Sequence, residues 1–172
     1  MRKGKNIRSF PLYLVAGTLL LIGVVSFVKP TPIMVYNHSP SLPEGVYWLS
    51  SFHPDSYAMG DIVVIPTTTN AWPSGFAHHL NPGATLLKII IAGPGDEACT
   101  TNGSLVINGE VWGHIYRTDS RGNPIPLIPF CDPVPDGHVL VGTHHERSFD
   151  SRYFGPISTQ MIMGNAHPLL TF

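Results

Sequence analysis

Lysine is nearly missing from most of this chain. It stands at positions 3, 5, 29 and 88 only, so everything beyond residue 29 holds a single one, Lys88. Acid is missing from the other end, where the first aspartate or glutamate is Glu44. Charge is sparse throughout, at 12% of residues. The net charge of −1 therefore joins a basic tip (Arg2, Lys3, Lys5, Arg8 and Lys29) to an acidic body. An acidic body lacks the basic face that phosphate neutralisation requires, so no nucleic-acid partner is expected. The nine histidines show no H-E-x-x-H or comparable spacing, so no metal site is expected either. Cysteine is limited to Cys99 and Cys131, whose separation fits no zinc pattern. No internal repeat is visible, and the body carries no amphipathic helical pattern.

Long apolar runs are absent too, with one exception. From Pro11 to Val28 the chain carries no charge. That is roughly 18 residues, or roughly 27 Å as a helix, just enough to cross a hydrocarbon core. Basic residues crowd its N-terminal side, so the positive-inside rule puts the start of the chain in the cytoplasm and the body outside. Ser26-Phe27-Val28-Lys29-Pro30 offers no A-x-A-like cleavage site, which favours a retained anchor over a removed signal peptide. The expected organisation is a cytoplasmic tip over 1–10, a transmembrane anchor over 11–28 and an exported domain over 30–172. Export changes the reading of the cysteines. In an oxidising compartment two thiols in one small domain usually pair, so a Cys99–Cys131 disulfide is expected, with a reactive thiol as the alternative.

The body is rich in Gly and Pro, 17 of each in the chain, and poor in helical pattern. Strands are expected around 31–36, 46–49, 62–66, 86–91 and 138–142. A hairpin is expected over 104–113 with Asn108-Gly109 as its turn. Residues 67–83, 117–136 and 148–156 read as loops. The fold class is mainly β, a β-sheet body on a single N-terminal transmembrane helix.

Two features of this body point to chemistry. Ser39-Pro40-Ser41-Leu42-Pro43-Glu44-Gly45 is held non-helical by its prolines, each of which fixes its own φ and restricts the residue before it. A rigid loop suits a nucleophile, because a pre-set geometry avoids an ordering cost during reaction. Lys88 lies inside Leu86-Leu87-Lys88-Ile89-Ile90-Ile91, where strand alternation puts it on the face of Leu86 and Ile90. Burial there lowers a lysine pKa, and a neutral amine can take a proton from a serine hydroxyl. The alternatives are an ordinary Ser/Pro turn and an edge-strand lysine that snorkels to water.

Four segments now stand in order: Ser39-x-Ser41-Leu42-Pro43, Gly60-Asp61-Ile62-Val63-Val64, Lys88 followed by Pro94-Gly95-Asp96, and Ser148-Phe149-Asp150-Ser151-Arg152-Tyr153-Phe154-Gly155. Together they resemble the type I signal peptidase family of membrane-anchored Ser–Lys proteases. Asn37-x-Ser39-x-Ser41-x-Pro43-x-Gly45-x-Tyr47 and the Ser148–Pro156 run resemble in particular its conjugative-transfer, TraF-type maturation branch. The resemblance implies a signal-peptidase-like β-sheet body, Ser41 as nucleophile and Lys88 as general base. It implies an oxyanion hole made by the Ser39 hydroxyl and the Ser41 backbone N–H. It also implies supporting roles for Ser148, which would bond the amine, and for Asp150 with Arg152, an ion pair that fixes the loop. A solvated surface salt bridge is the alternative for that pair. Nothing in the resemblance calls for a cofactor.

The chain departs from the family pattern in several places. Ile89 follows the lysine where a basic residue is usual, Ala92 and Gly93 shift the glycine before the Pro-Gly-Asp turn, and Leu42 replaces a methionine. Gly142-Thr143-His144-His145-Glu146 replaces the usual Gly-Asp-Asn. These suit the specialised branch and leave Ser41 and Lys88 in place.

The resemblance implies a membrane-tethered peptide or pilin-like precursor as substrate, processed at the outer, periplasmic face of a bacterial inner membrane. It implies an acyl-enzyme resolved by water or, with cyclisation, by an amino terminus, and it allows conjugation machinery and the lipid bilayer as partners. A general signal peptidase and a non-enzymatic assembly factor are the rival readings. Two further expectations come from the residues alone. His144 or His145 with Asp150 is a minor triad candidate. The loop 67–80, through Trp72 and Phe76, is the candidate bilayer contact.

Overall fold

The computed structural model describes residues 33–172 apart from 69–71, 73–75, 77–79 and 82. The expected tip and the expected anchor over 11–28 lie outside the described residues. Among those described, no helix is long and apolar enough to cross a membrane.

The described chain is mainly β, as its composition implies. It forms β1 (Met34–Asn37), β2 (Gly45–Ser50), β3 (Ile62–Pro66), β4 (Thr85–Ala92), β5 (Glu97–Thr101) and β6 (Ser104–Ile107). These are followed by β7 (Glu110–His114), β8 (Cys131–Pro133), β9 (His138–Gly142), β10 (Ile157–Ser158) and β11 (Gly164–Thr171). One helical turn, α1 (Ser151–Phe154), precedes β10. A seven-stranded sheet runs β1-β2-β11-β3-β4-β9-β10, and a four-stranded sheet runs β7-β6-β5-β8.

Strand β4 organises the larger sheet. Its residues pair with β3 from Thr85 to Ile89, with Val63 opposite Lys88. β9 takes up its other edge only from Ile89 onward. Alternation then splits the side chains of β4 between two cores. Leu86 and Ile90 pack with Val63, Val141, Tyr153 and Phe154. Leu87 and Ile89 pack with Leu42, Tyr47 and Val64 on the other face. Apolar residues on both faces account for the near-continuous hydrophobic run that the sequence shows here. β4 ends at Gly93-Pro94-Gly95-Asp96, where the Asp96 carboxylate accepts from the Gly93 N–H at 2.8 Å and the chain turns into β5.

In the smaller sheet the hairpin forms as expected. Asn108 and Gly109 have φ of 51° and 83°, the pair of positive values that a type I′ turn requires. Cys99 and Cys131 are register partners across β5 and β8 and form a disulfide. Residues 117–136 look like a continuous loop in sequence, and β8 is a short strand within them.

The largest difference is β11, which lies between β2 and β3. Gly164, Asn165 and Pro168 are poor strand formers, so propensity gives no signal there. The strand tolerates Pro168 because β3 pairs only with Gly164 and Asn165, leaving an edge free by Pro168. The expectation that 67–80 is a bilayer contact also needs correction. Phe76 is buried in the core, and Trp72 packs edge-on against Phe154 with ring centroids 5.1 Å apart. The apolar side chains left exposed instead include Met34, Tyr36, Trp48 and Leu170. Register puts Trp48 opposite Met34 and Val46 opposite both Tyr36 and Leu170, so they share one face of β1, β2 and β11.

Candidate active site

The loop between β1 and β2 carries Ser39 and Ser41, and one asparagine ties it together. The buried side chain of Asn37 donates through Nδ2 to the carbonyls of Ser39, Leu42 and Pro43 at 2.9, 3.0 and 3.1 Å. Its Oδ1 accepts the Ser39 N–H at 3.1 Å. Tyr47, also buried, donates its hydroxyl to the Pro43 carbonyl at 2.8 Å. Gly45 closes the loop with φ of 142°, and a Cβ there would collide with the carbonyl oxygen of Leu170 in β11. The loop is rigid for these reasons as much as for its prolines. The sequence motif alone assigns Asn37 no such role. Its one signal is its place two residues before Ser39, where an asparagine commonly bonds the backbone ahead of it.

Ser39 and Ser41 are both half-buried. Their hydroxyl oxygens are 3.0 Å apart. The Ser41 N–H points at the Ser39 hydroxyl oxygen, 3.4 Å away. The two groups expected to hold an oxyanion are therefore adjacent and both engaged within the loop, the N–H with the Ser39 oxygen and the Ser39 hydroxyl with that of Ser41. An arriving carbonyl oxygen would have to take over both bonds, and looseness of this kind is common in enzymes without substrate.

A cavity of about 370 Å³ has Ser39, Ser41 and Lys88 in its wall, together with Asn37 and the start of β4. Lys88 is 5% exposed. Its Nζ donates to the Ser148 hydroxyl at 2.9 Å. Burial lowers the amine pKa from 10.5 to about 8, opposed by the nearby negative charge of Asp150 and assisted by the positive charge of Arg152. The snorkelling alternative does not hold, because the side chain is buried and its amine is tied inward to Ser148 instead of extending into bulk solvent.

Arg152 and Asp150 lie beneath Ser148. They pair at 2.8 Å and are 2% and 0% exposed, so this is no surface salt bridge. The guanidinium also donates to the carbonyls of Glu146 and His145, both at 2.9 Å, and of Ser148 at 3.2 Å. Asp150 additionally accepts from the backbone N–H of Thr143 and of Arg152 itself. One buried cation thus gathers the whole 143–150 turn that presents Ser148 to Lys88. Arg152→Ala is expected to lower stability by about 3–5 kcal/mol in urea denaturation, since it strands Asp150 and several carbonyls. Arg152→Lys is expected to rescue little of this, because an ammonium cannot reproduce the planar fork.

The signal peptidase, peptidase S26, family model matches residues 6–170. The chain belongs to this family. Its relatives place it in the TraF branch. A conjugal transfer protein TraF of Agrobacterium fabrum is 33% identical over 147 residues, covering 79% of this chain and 81% of its own. A plasmid transfer protein TraF of Escherichia coli is 27% identical over 166 residues, covering 91% of this chain and 92% of its own. A signal peptidase I of Enterococcus faecalis V583, solved by crystallography, aligns over 64% of this chain and 96% of its own at 24% identity, with a TM-score of 0.37.

Within this member of the peptidase S26 family the histidine triad does not assemble. The ring of His144 stacks on Trp112, with centroids 5.9 Å apart. Both carboxylate oxygens of Asp150 are taken by Arg152. His145 Nδ1 accepts the Arg147 N–H at 3.2 Å. Neither imidazole has Asp150 as a partner. Among the described residues no group of histidine, cysteine and carboxylate side chains could hold a metal ion.

Proposed function

We propose that the chain is a serine endopeptidase in which Ser41 attacks the scissile carbonyl and Lys88 is the general base. The observation that carries this reading is the buried amine of Lys88, held by Ser148, in the wall of the cavity that also contains Ser41. Lys88, neutral, takes the hydroxyl proton as the C–O bond forms and returns it to the leaving amine as the C–N bond breaks. The Ser39 hydroxyl and the Ser41 N–H bond the oxyanion, and water then hydrolyses the acyl-enzyme or a substrate amino terminus displaces it. The Asp150–Arg152 pair keeps Ser148 in place throughout.

The TraF relatives' names support a role in conjugative transfer. The substrate we propose, an exported pilin-like precursor, follows from the family resemblance of the sequence motifs. The apolar run 11–28 supports single-pass attachment to the inner membrane, with the domain on the outer face and the bilayer as a partner. Flotation of the full chain with lipid vesicles tests the attachment, and recovery in the unbound fraction would count against it. The decisive experiment for the peptidase reading is the intact mass of a purified precursor before and after incubation. Loss of one terminal peptide is expected, and loss of one further water would indicate cyclisation. A non-enzymatic assembly factor would leave the mass unchanged.

A further inference from the structure

Ser41 lines two hollows. The first is the cavity with Lys88 and Ser39 in its wall. The second, of about 480 Å³, lies between Ser41 and the residues Leu42, Pro43, Glu44, Ile89, His144 and Phe172. Among the described residues, Ser41 is the one common to both walls. A peptide attacked there has chain on both sides of its scissile bond, so each side needs its own place.

The two hollows differ in what they offer. Beside the first, β4 pairs with β3 along 85–88, while β9 joins its other edge only from Ile89. Among the described residues, that leaves backbone to pair with an extended segment, which suits the acyl half that must be held through both steps. The second hollow has exposed walls at Pro43, His144 and Phe172, which suits a segment that must leave after the first step. Its surface is largely apolar through Leu42, Ile89 and Phe172, and Glu44 is the one acidic side chain among its described walls. Phe172, the residue that follows β11, completes this wall. The Phe172 N–H donates to the Glu44 carbonyl at 3.1 Å, which fixes the aromatic residue beside the loop.

We infer that this second hollow is the subsite for the substrate residue immediately after the scissile bond. It takes a long aliphatic side chain, best of all one that ends in a positive charge beside Glu44, and it disfavours an acidic one. The inference rests on the peptidase reading above and adds the specificity on the leaving side.

The test uses the full chain in detergent and internally quenched peptides with small residues before the bond. The peptides differ only in the next residue, which is Lys, Leu, Gly or Asp. Wild type is expected to favour Lys over Asp by about tenfold in kcat/KM, the scale of a partly exposed charge interaction of each sign. Glu44→Gln should remove that preference, and Glu44→Lys should reverse it. Phe172→Ala should lower the preference for Leu over Gly by about fivefold, the scale of removing part of an apolar wall, and leave the charge preference in place. Reversal by Glu44→Lys is an outcome that a merely structural role could not produce. Peptides cut with the same ratios by every variant would overturn the subsite and leave the peptidase standing. A wild-type chain that cuts neither peptides nor precursor would overturn both.

Discussion

Replacing Ser41 with alanine is expected to abolish precursor cleavage, by on the order of 10⁴-fold or more, while leaving the fold intact. The size follows from the assignment, since alanine removes the attacking oxygen itself. The control is Ser39→Ala. It keeps the nucleophile and removes one donor to the oxyanion, so it is expected to cost about 10²–10³-fold in kcat with little change in KM. The ranking separates two serines whose hydroxyls are only 3.0 Å apart. Cleavage that survives Ser41→Ala and dies with Ser39→Ala would exchange their roles. Both variants should melt as wild type does, because Asn37 and Tyr47 hold the loop through backbone carbonyls rather than through either hydroxyl.

Replacing Lys88 with methionine is expected to lower kcat by about 10²–10⁴-fold, the range for losing a positioned base. The pH profile should carry its signature. The amine works only when neutral, so wild-type kcat/KM should rise with pH and level off above about 8. Stability should respond as well. Below about 8 the folded and unfolded chains both hold the proton, and the cost of burying the charge is fully present. Between about 8 and 10.5 the unfolded chain still holds the proton that the folded chain has shed, so stability rises with pH across that window. Lys88→Met lacks this dependence. Melting temperatures of the two proteins, followed from pH 7 to 10, should therefore shift in favour of wild type as pH rises. Parallel curves would mean that the buried amine does not titrate there.

Much of the site is legible in sequence because its parts violate local expectation. A lone lysine inside an apolar strand is conspicuous, and alternation alone puts it on the face of Leu86 and Ile90, where it lies. The Asn108-Gly109 turn follows from equally local chemistry, whereas the cysteine pairing follows from two thiols in one domain expected to be exported. What stays hidden depends on distant parts of the chain. β11 has the residues of a loop and becomes a strand only because β2 and β3 leave a slot between them. With it go Phe172 and the stop that Leu170 places against Gly45. The burial of Arg152 is hidden for the same reason. The carbonyls that solvate it include that of His114 in β7, far away in sequence. Trp72 and Phe76 mislead in the opposite direction, since aromatic residues in a Gly- and Pro-rich stretch look exposed until a core is found for them.

The proposed mechanism turns on an ester at one named oxygen. Wild-type protein mixed with precursor, quenched in acid at short times and digested for mass spectrometry, should carry the acyl fragment on the Ser41 hydroxyl, and Ser41→Ala should carry none. An adduct on Ser39 or on Lys88, or rapid cleavage with no adduct at any quench time, would contradict it.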